Sequence, residues 1–592
     1  MAGTLFSILA CAPPPPRFEL TVLDAATGVA TPARVEVVDG RGVSYIADGA
    51  LRVAGDCGWT PIHNWIGWWG QIQMLGALQA EVHNPFTDTT QFYVDRPVEL
   101  QLPPGSYRVR VFKGLEYKVA TEEIEVAAGS NNVVSIEVSR WVDLPSEGWY
   151  SADDHLHIAR PHPRFDPRII RWMQAEDLHV ANLLQMGLAQ GLHITPQFDF
   201  GESAIHHDHG TIVASGQENP RTHVLGHAIT LGADDWLDFP EDYLAYDRLW
   251  RRARDAGAVN GYAHWGLGGA DEGFATWAPE GLLDFLEVLG FGIPYYPFWY
   301  DLLNLGFRIT PTAGTDYPCG PGLPGRERFY TRLDESLSYG AWIEAVRRGR
   351  TFVTNGPVLE LSIEGVAVGD ELFLEEPREI LLEGRVRFDP GRDDVTRLEV
   401  VRAGEVVSSV EEGAAPGVLS VRVKLAADRT TWFALRASGA KVGETPVDGI
   451  QFLEQALTYL PRETADRLIG APDRVLPRNG DPRPSAAHTA PIYVSVARTA
   501  PLEAQAPARA AAARLLSLLG ELEDRFDDER IQEMAGFPGR GDGVGDEDLR
   551  RGRSELLASV EKARRHYQRL LRTNGPRSNP EPGSGSSGDV VD

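Results

Sequence analysis

Apolar and polar residues alternate over long stretches in the first and last parts of the chain. Residues 17–145 carry apolar side chains at every second position, as in 18–22, and glycine- and proline-rich turns separate the runs. The same alternation returns at 355–498, as in 359–363. A period of two is typical of a strand with one buried face. Each region is therefore predicted to be an antiparallel β-sandwich.

Short apolar runs alternate with helical patterns between residues 146 and 354. Strands are predicted at 179–184, 258–263 and 307–313, and helices at 168–178, 241–256, 280–289 and 338–348. This alternation is typical of β/α barrels and of doubly wound sheets. In both folds the functional side chains follow the carboxyl ends of the strands.

The two ends of the chain have patterns of their own. Helical spacing of apolar residues predicts a helical hairpin at 505–572, and a Pro/Gly/Ser-rich composition predicts a disordered tail at 573–592. Residues 1–16 are apolar and proline-rich, and Ile8-Leu9-Ala10-Cys11 resembles a bacterial lipoprotein box. Two locations stay open, namely export with a lipid on Cys11 and the cytoplasm.

Composition limits the classes of partner. The 592 residues are too many for one core, and a net charge of −27 argues against nucleic-acid binding, which needs a basic face. The three cysteines are far apart, so neither a disulfide framework nor a cysteine zinc site is predicted. No run of about 18 apolar residues occurs, so no membrane-spanning helix is predicted. A small molecule is the expected substrate, and the oligomeric state stays open.

Histidines are concentrated in the middle region. Eleven of the 15 lie between residues 155 and 264, and histidine is the commonest metal ligand. His155 and His157 are two residues apart, so on a strand both would face the same side. Further residues that could bind a metal follow in chain order: Glu218, His223 or His227, His264 and Asp316. The ordered set predicts a metal site, and the alternative is a group of structural histidines.

Four stretches of the chain resemble one family of metallohydrolases. They are 148–157 with its His-x-His pair, 216–218 together with 226–227, 313–316, and 349–357. The set resembles the PHP (polymerase and histidinol phosphatase) superfamily, and within it the CehA/McbA branch named after bacterial carbaryl hydrolases. The resemblance implies a central distorted β/α barrel at 146–354 between the two sandwiches. Residues 104–109 are in turn similar to sandwiches of the carboxypeptidase-regulatory type.

The resemblance also implies a role for each candidate ligand. One or two divalent ions (zinc, manganese or iron) would be held by His155, His157, Glu218, His227, His264 and Asp316. Glu218 would bridge the ions, His223 is the alternative to His227, and Asp153 would orient a ligand imidazole. Leu183–Met186 replaces the usual Thr-Asp-His, and Pro318 replaces a final histidine. Because both losses remove ligands of a third metal, one or two ions are expected.

The implied activity is hydrolysis by a metal-bound hydroxide of a small carboxyl-ester, carbamate or amide substrate. A phosphoesterase of the PHP type is the first alternative. A non-catalytic binding or scaffold protein at the cell surface is the second. Arg350 and Asn355 are candidate substrate contacts, and Arg160 and Arg221 are further candidates for an anionic substrate group.

Overall fold

The structure is a computed structural model of the chain. It describes residues 17–54, 78–84, 89–187, 193–222, 225–239, 244–264, 270–290, 293–318, 322–411, 413, 415–439, 485–525 and 546–572. The predicted lipid-attachment residue Cys11, the alternative ligand His223 and the predicted tail 573–592 lie outside these residues.

Two small sheets pack face to face in the first region. The strands are β1 Arg17–Asp24, β2 Ala33–Asp39, β3 Val53–Ala54, β4 Leu78–Gln79, β5 Val82–Asn84, β6 Thr89–Val94, β7 Val98–Leu100, β8 Gly105–Phe112, β9 Ala120–Val126 and β10 Asn131–Val138. Sheets β10-β1-β7 and β5-β6-β2-β8-β9 share one core, which includes Phe18, Val35, Phe92 and Val109. The alternation predicted antiparallel pairing throughout. The structure differs at one pair, because β1 and β10 run parallel.

The middle region alternates strands with helices. Its strands are β11 Trp149–Leu156, β12 Val180–Gly187, β13 His193–Ile194, β14 His206–Asp208, β15 Thr211–Thr222, β16 Gly226–Leu231, β17 Val259–Tyr262, β18 Phe285–Gly290, β19 Ile293–Pro294, β20 Thr310–Gly314, β21 Arg328–Arg332 and β22 Thr351–Thr354. Its helices are α1 Asp166–Ala175, α2 Tyr246–Asp255, α3 Ala270–Trp277, α4 Pro297–Asn304 and α5 Tyr339–Arg347.

The middle strands form one mixed sheet in the order β21-β11-β12-β15-β16-β17-β18-β20. The pairs β11–β12, β12–β15, β17–β18 and β18–β20 are parallel, so several carboxyl ends share one edge. Among the described residues, a single parallel bridge from Leu156 to Tyr317 joins the end of β11 to the chain after β20. That bridge brings the end of β11 close to the chain after β20.

One predicted element is wrong. The predicted helix 280–289 is instead the approach to β18, a strand over Phe285–Gly290. Its first five residues are all buried, so apolar side chains face both sides. A short, fully buried strand cannot be told from a helix by periodicity, because neither pattern leaves a polar face.

The large sheet continues into the last region. The strands there are β23 Val358–Ile363, β24 Val366–Ala367, β25 Glu371–Leu374, β26 Arg378–Arg387, β27 Val395–Arg402, β28 Glu405–Val410, β29 Val418–Ala427, β30 Thr431–Gly439, β31 Ala486–Thr489 and β32 Ile492–Val496. Pairing of β22 with β31 makes the sheet continuous, with 18 strands in all. The four-stranded sheet β24-β23-β26-β29 packs against it over a second core that includes Ile363, Leu382, Leu398 and Leu435.

Two long helices, α6 Ala506–Arg525 and α7 Asp546–Arg572, pack together on the middle region. The Tyr567 hydroxyl donates a hydrogen bond to the Ala275 carbonyl of α3 (2.8 Å), and Leu515, Leu519 and Val560 are fully buried. The described residues thus form a β-rich, multi-sheet protein with seven α-helices. None of the helices within them is long and apolar enough to cross a membrane.

Candidate metal centre

The carboxyl end of β11 provides two histidines. The register between β11 and β12 shifts between Asp153 and Leu156, so the strand is irregular where the histidines lie. His155 and His157 are 0% and 1% exposed, and their Nε2 atoms are 3.0 Å apart. Side-chain alternation therefore brings both rings to one buried point.

The adjacent antiparallel strands β15 and β16 bring a carboxylate and a third histidine to the same point. Glu218 Oε2 is 3.3 Å from His157 Nε2, and Glu218 Oε1 is 3.7 Å from His155 Nε2. The same Oε1 is 2.7 Å from Nδ1 of His227. One carboxylate therefore lies between the β11 histidines and the β16 histidine.

The last two predicted ligands follow β17 and β20, each by two residues. His264 Nε2 is 3.5 Å from Glu218 Oε1. Asp316 Oδ1 is 3.3 and 3.0 Å from the Nε2 atoms of the two β11 histidines. Asp316 has a φ of 53°, a left-handed backbone conformation that aspartate tolerates better than most residues. The six residues predicted as ligands thus lie together.

Two overlapping groups of donor atoms have the spacing of metal ligands. The atoms of each group lie within 4.8 Å of one another: His155, Glu218 and His264 in one group, and His155, His157 and Asp316 in the other. Ligand atoms about 2.1 Å from a tetrahedral ion are about 3.4 Å from one another. Both oxygens of Glu218 are buried among histidine nitrogens of the cluster, which suits oxygens that face a cation. The residues present therefore fit a divalent metal.

Burial and charge act in opposite directions on the β11 histidines. Burial lowers the pKa of His155, but Glu287 and Asp316 outweigh it and raise this pKa well above its usual range. For His157, hydrogen bonds that the ring donates to Asp316 and Glu218 outweigh burial and raise the pKa to about 9. The carboxylates therefore favour the protonated, positively charged form of both rings. A bound metal ion would take the place of the added ring protons.

The carboxylates and His227 show the complementary shifts. Burial raises the pKa of Glu218, but Arg221 and His227 outweigh it and hold this pKa well below its usual range. The β11 histidines overcome burial at Asp316 and lower its pKa to about 2. Burial, with help from Arg221, lowers the pKa of His227 to about 3. Both carboxylates are thus ionised near neutral pH, and His227 is the neutral imidazole that metals bind.

Asp153 supports the cluster differently from the expected contact with an imidazole. Its carboxylate accepts hydrogen bonds from the backbone N–H of His155 (3.0 Å), Thr315 (3.2 Å) and Gly325 (2.8 Å), and from the Thr315 hydroxyl (2.6 Å). Burial nevertheless raises the pKa of Asp153 to about 6. Asp153 therefore links the backbone of His155 to the backbone of Thr315, the residue before Asp316.

Glu287 contacts the ligands but was missed by the sequence reasoning. Its Oε1 is 2.9 Å from His155 Nδ1, and its Oε2 accepts a hydrogen bond from the backbone N–H of His264. Asp154 is buried nearby, and burial together with the charge of Glu287 raises its pKa well above its usual range. The available signal was a single acid within the apolar run Phe285–Leu289, which the helix prediction obscured.

The two expected substrate contacts, Arg350 and Asn355, have partners within the described part of the chain. Arg350 pairs with Asp334 and Asp370. The next residue, Thr351, pairs with Thr331 of β21, which in turn pairs with Tyr150 near the start of β11. Arg350 therefore lies at the end of these strands opposite the cluster. The Asn355 side-chain oxygen accepts a hydrogen bond from Ala486 N–H (2.8 Å), and this bond fixes β22 against β31. Both side chains have structural partners, and their role as substrate contacts stays a prediction.

The other two arginine candidates differ from each other. Arg160 is 0% exposed and donates hydrogen bonds to Ser215 and to the Ala204 carbonyl, so it is structural. The Arg221 Nε atom lies 2.8 Å from Glu218 Oε2. Of these arginines, Arg221 alone touches a predicted ligand.

Comparison with known proteins adds no relative. No protein-family model, no curated protein and no solved structure matches this chain. The function of the chain is therefore inferred from the residues of the site.

Proposed function

We propose that this chain is a metal-dependent hydrolase of small carboxyl-ester, carbamate or amide substrates, of the PHP type and resembling the CehA/McbA branch. The observation that carries the proposal is the convergence of five residues in donor groups that fit a divalent ion, namely His155, His157, Glu218, His264 and Asp316, with His227 beside Glu218. A distorted β/α barrel is the proposed form of the middle region. The bridge between Leu156, at the end of β11, and Tyr317, after β20, supports that form.

The site has the charge and the access that hydrolysis needs. Divalent cations bound there would lower the pKa of a water molecule and polarise the carbonyl oxygen of a substrate. Glu218 and Asp316 provide the negative charge that holds cations. The His227 and Asp316 side chains are 16% and 15% exposed, whereas His155, His157 and Glu218 are at most 1% exposed. A substrate therefore reaches the cluster from the side of His227 and Asp316.

Metal analysis tests the proposal directly. Protein purified without chelator should contain at least one equivalent of zinc, manganese or iron by mass spectrometry. Less than about half an equivalent, with no gain on adding these metals, would overturn the proposal, since six converging ligands should bind tightly.

Replacing one ligand should remove both metal and activity. His155→Ala deletes the donor that the two ligand groups share, so we expect at least a 100-fold loss of ester or carbamate hydrolysis and loss of bound metal. His207→Ala is the matched control, because His207 is exposed on β14. Equal losses in the two variants would show that the ligands have been wrongly assigned.

A phosphoesterase is the second candidate, and Arg221 is the observation that favours it. A guanidinium beside the bridging carboxylate could bind a phosphoryl oxygen. Parallel assays with 4-nitrophenyl acetate, 1-naphthyl N-methylcarbamate and 4-nitrophenyl phosphate separate the two activities. Metal-dependent turnover of the phosphate alone would replace the first proposal by the second.

A further inference from the structure

Among the described residues, Glu287 is the one carboxylate outside the donor groups that contacts two predicted ligands. It lies on β18 and is 2% exposed. Its Oε1 faces His155 Nδ1 (2.9 Å), and its Oε2 accepts the hydrogen bond of the His264 N–H. The two histidines follow different strands, β11 and β17, so Glu287 links them through a third strand.

We propose that Glu287 is a positioning residue that fixes His155 and His264 for metal binding. A proton on Nδ1 of His155 is donated to Glu287, which leaves Nε2 free to face Glu218 and Asp316. A carboxylate in this position sets the tautomer and the orientation of a metal-binding imidazole and raises its basicity. The second oxygen sets the backbone position from which the His264 side chain reaches Glu218.

A purely structural role explains Glu287 poorly. Its strand neighbours Leu286, Val288 and Leu289 are buried apolar residues, and an apolar side chain at 287 would avoid the cost of burying a carboxylate. Gly314 also leaves room for this arrangement. A Cβ there would lie 2.8 Å from Glu287 Oε1 and 2.5 Å from the Cβ of His155. The space around Glu287 is therefore shaped by the contact with His155.

The test compares Glu287→Gln with Asp284→Asn. Asp284 lies just before the same strand and accepts a hydrogen bond from the Asn260 N–H (3.0 Å), with Arg254 at 2.9 Å. It thus supports the same sheet away from the cluster. Apo protein of each variant is titrated with Zn²⁺ against a chromophoric chelator, and circular dichroism checks the fold.

Glu287→Gln should weaken Zn²⁺ affinity about 10- to 100-fold and shift the visible bands of bound Co²⁺. Asp284→Asn should lower the melting temperature but leave affinity and Co²⁺ bands as in the wild type. Unchanged affinity in Glu287→Gln, or an equal loss in Asp284→Asn, would overturn the inference. If Glu287→Gln does not fold, Glu287→Asp is measured in the same titration. Wild-type Zn²⁺ affinity in Glu287→Asp would likewise overturn the inference.

The inference rests on the metal site of the proposed function and not on the reaction. Wild-type protein that binds no Zn²⁺ would refute the metal site itself. Wild-type protein that binds Zn²⁺ while Glu287→Gln binds it equally well would refute only the role of Glu287. The two failures are therefore distinguishable.

Discussion

At the scale of single residues, the space behind His155 determines the geometry of the cluster. Gly314 ends β20 without a side chain, and atoms of His155, Asp154 and Glu287 fill the volume where a Cβ would lie, at 2.5, 2.7 and 2.8 Å. Real Cβ atoms do not approach other atoms so closely. The hydrogen bond between His155 and Glu287 therefore depends on a glycine two residues before the ligand Asp316.

Gly314→Ala should consequently weaken metal binding more than it weakens the fold. The added methyl group must push His155 or Glu287 aside, and we expect at least a tenfold loss of Zn²⁺ affinity in a competition titration. Gly340→Ala is the control, because Gly340 lies in α5 with no atom within 4 Å of its added Cβ. Wild-type affinity in Gly314→Ala would contradict the packing argument.

At the scale of elements, periodicity predicted the positions of some of the strands that lead to the predicted ligands, but not all of them. The ends of β11, β17 and β20 were expected to present side chains, and His155, His264 and Asp316 lie there. Strand β18 was predicted as a helix, so Glu287 was not recognised. Glu287 was missed because its contacts, unlike those of a two-residue histidine spacing, depend on residues 132 and 23 positions away in the chain.

The packing of β31 against α4 gives the protein a pH-sensitive element. His488 of β31 is fully buried, donates from Nδ1 to the Thr489 carbonyl (2.7 Å) and accepts at Nε2 from the Tyr300 hydroxyl of α4 (2.6 Å). This pattern requires a neutral ring. Burial lowers the pKa of His488 to about 3, below the ordinary 6.5 of an unfolded histidine.

Acid should therefore destabilise this element. Above pH 6.5 the contribution of neutral His488 is fully present, and it is lost as the pH falls towards 3 because only the unfolded chain takes up the proton. Between pH 7 and 4.5 this residue should account for a fall of about 3 kcal/mol in the free energy of unfolding. Urea titrations of His488→Gln should show a smaller fall than the wild type. His207→Gln, at an exposed position, should lose as much stability as the wild type. An equal fall in the free energy of unfolding in all three proteins would refute the role of His488.

At the scale of the whole molecule, sequence patterns indicated the three regions but not how they join. Phe352 pairs with Thr489 across more than a hundred residues and makes the large sheet continuous. No local pattern specifies such a pair, because it depends on tertiary packing. The first region joins the middle region through a shared apolar core, which includes Val53, Tyr93 and Trp172, and through polar contacts to the chain at the end of α1. Arg34 and Tyr93 bind Glu176, Lys113 binds the Gln174 carbonyl, and Arg140 binds Asp177.

Arg140 makes buried ion pairs at this junction. Its guanidinium lies 2.6 Å from Asp177 and 2.7 Å from Glu116, whose side chains are 8% and 1% exposed. Arg140→Met would leave two buried carboxylates without their cation, which should cost about 3 kcal/mol or more. The shared apolar core would still join the regions, so calorimetry should show one transition at a lower temperature than in the wild type. Arg41→Met is the control, since the Arg41–Asp39 pair is exposed to solvent and its loss should leave the transition near the wild-type temperature. A single transition at the wild-type temperature in Arg140→Met would mean that apolar packing alone holds the two regions together.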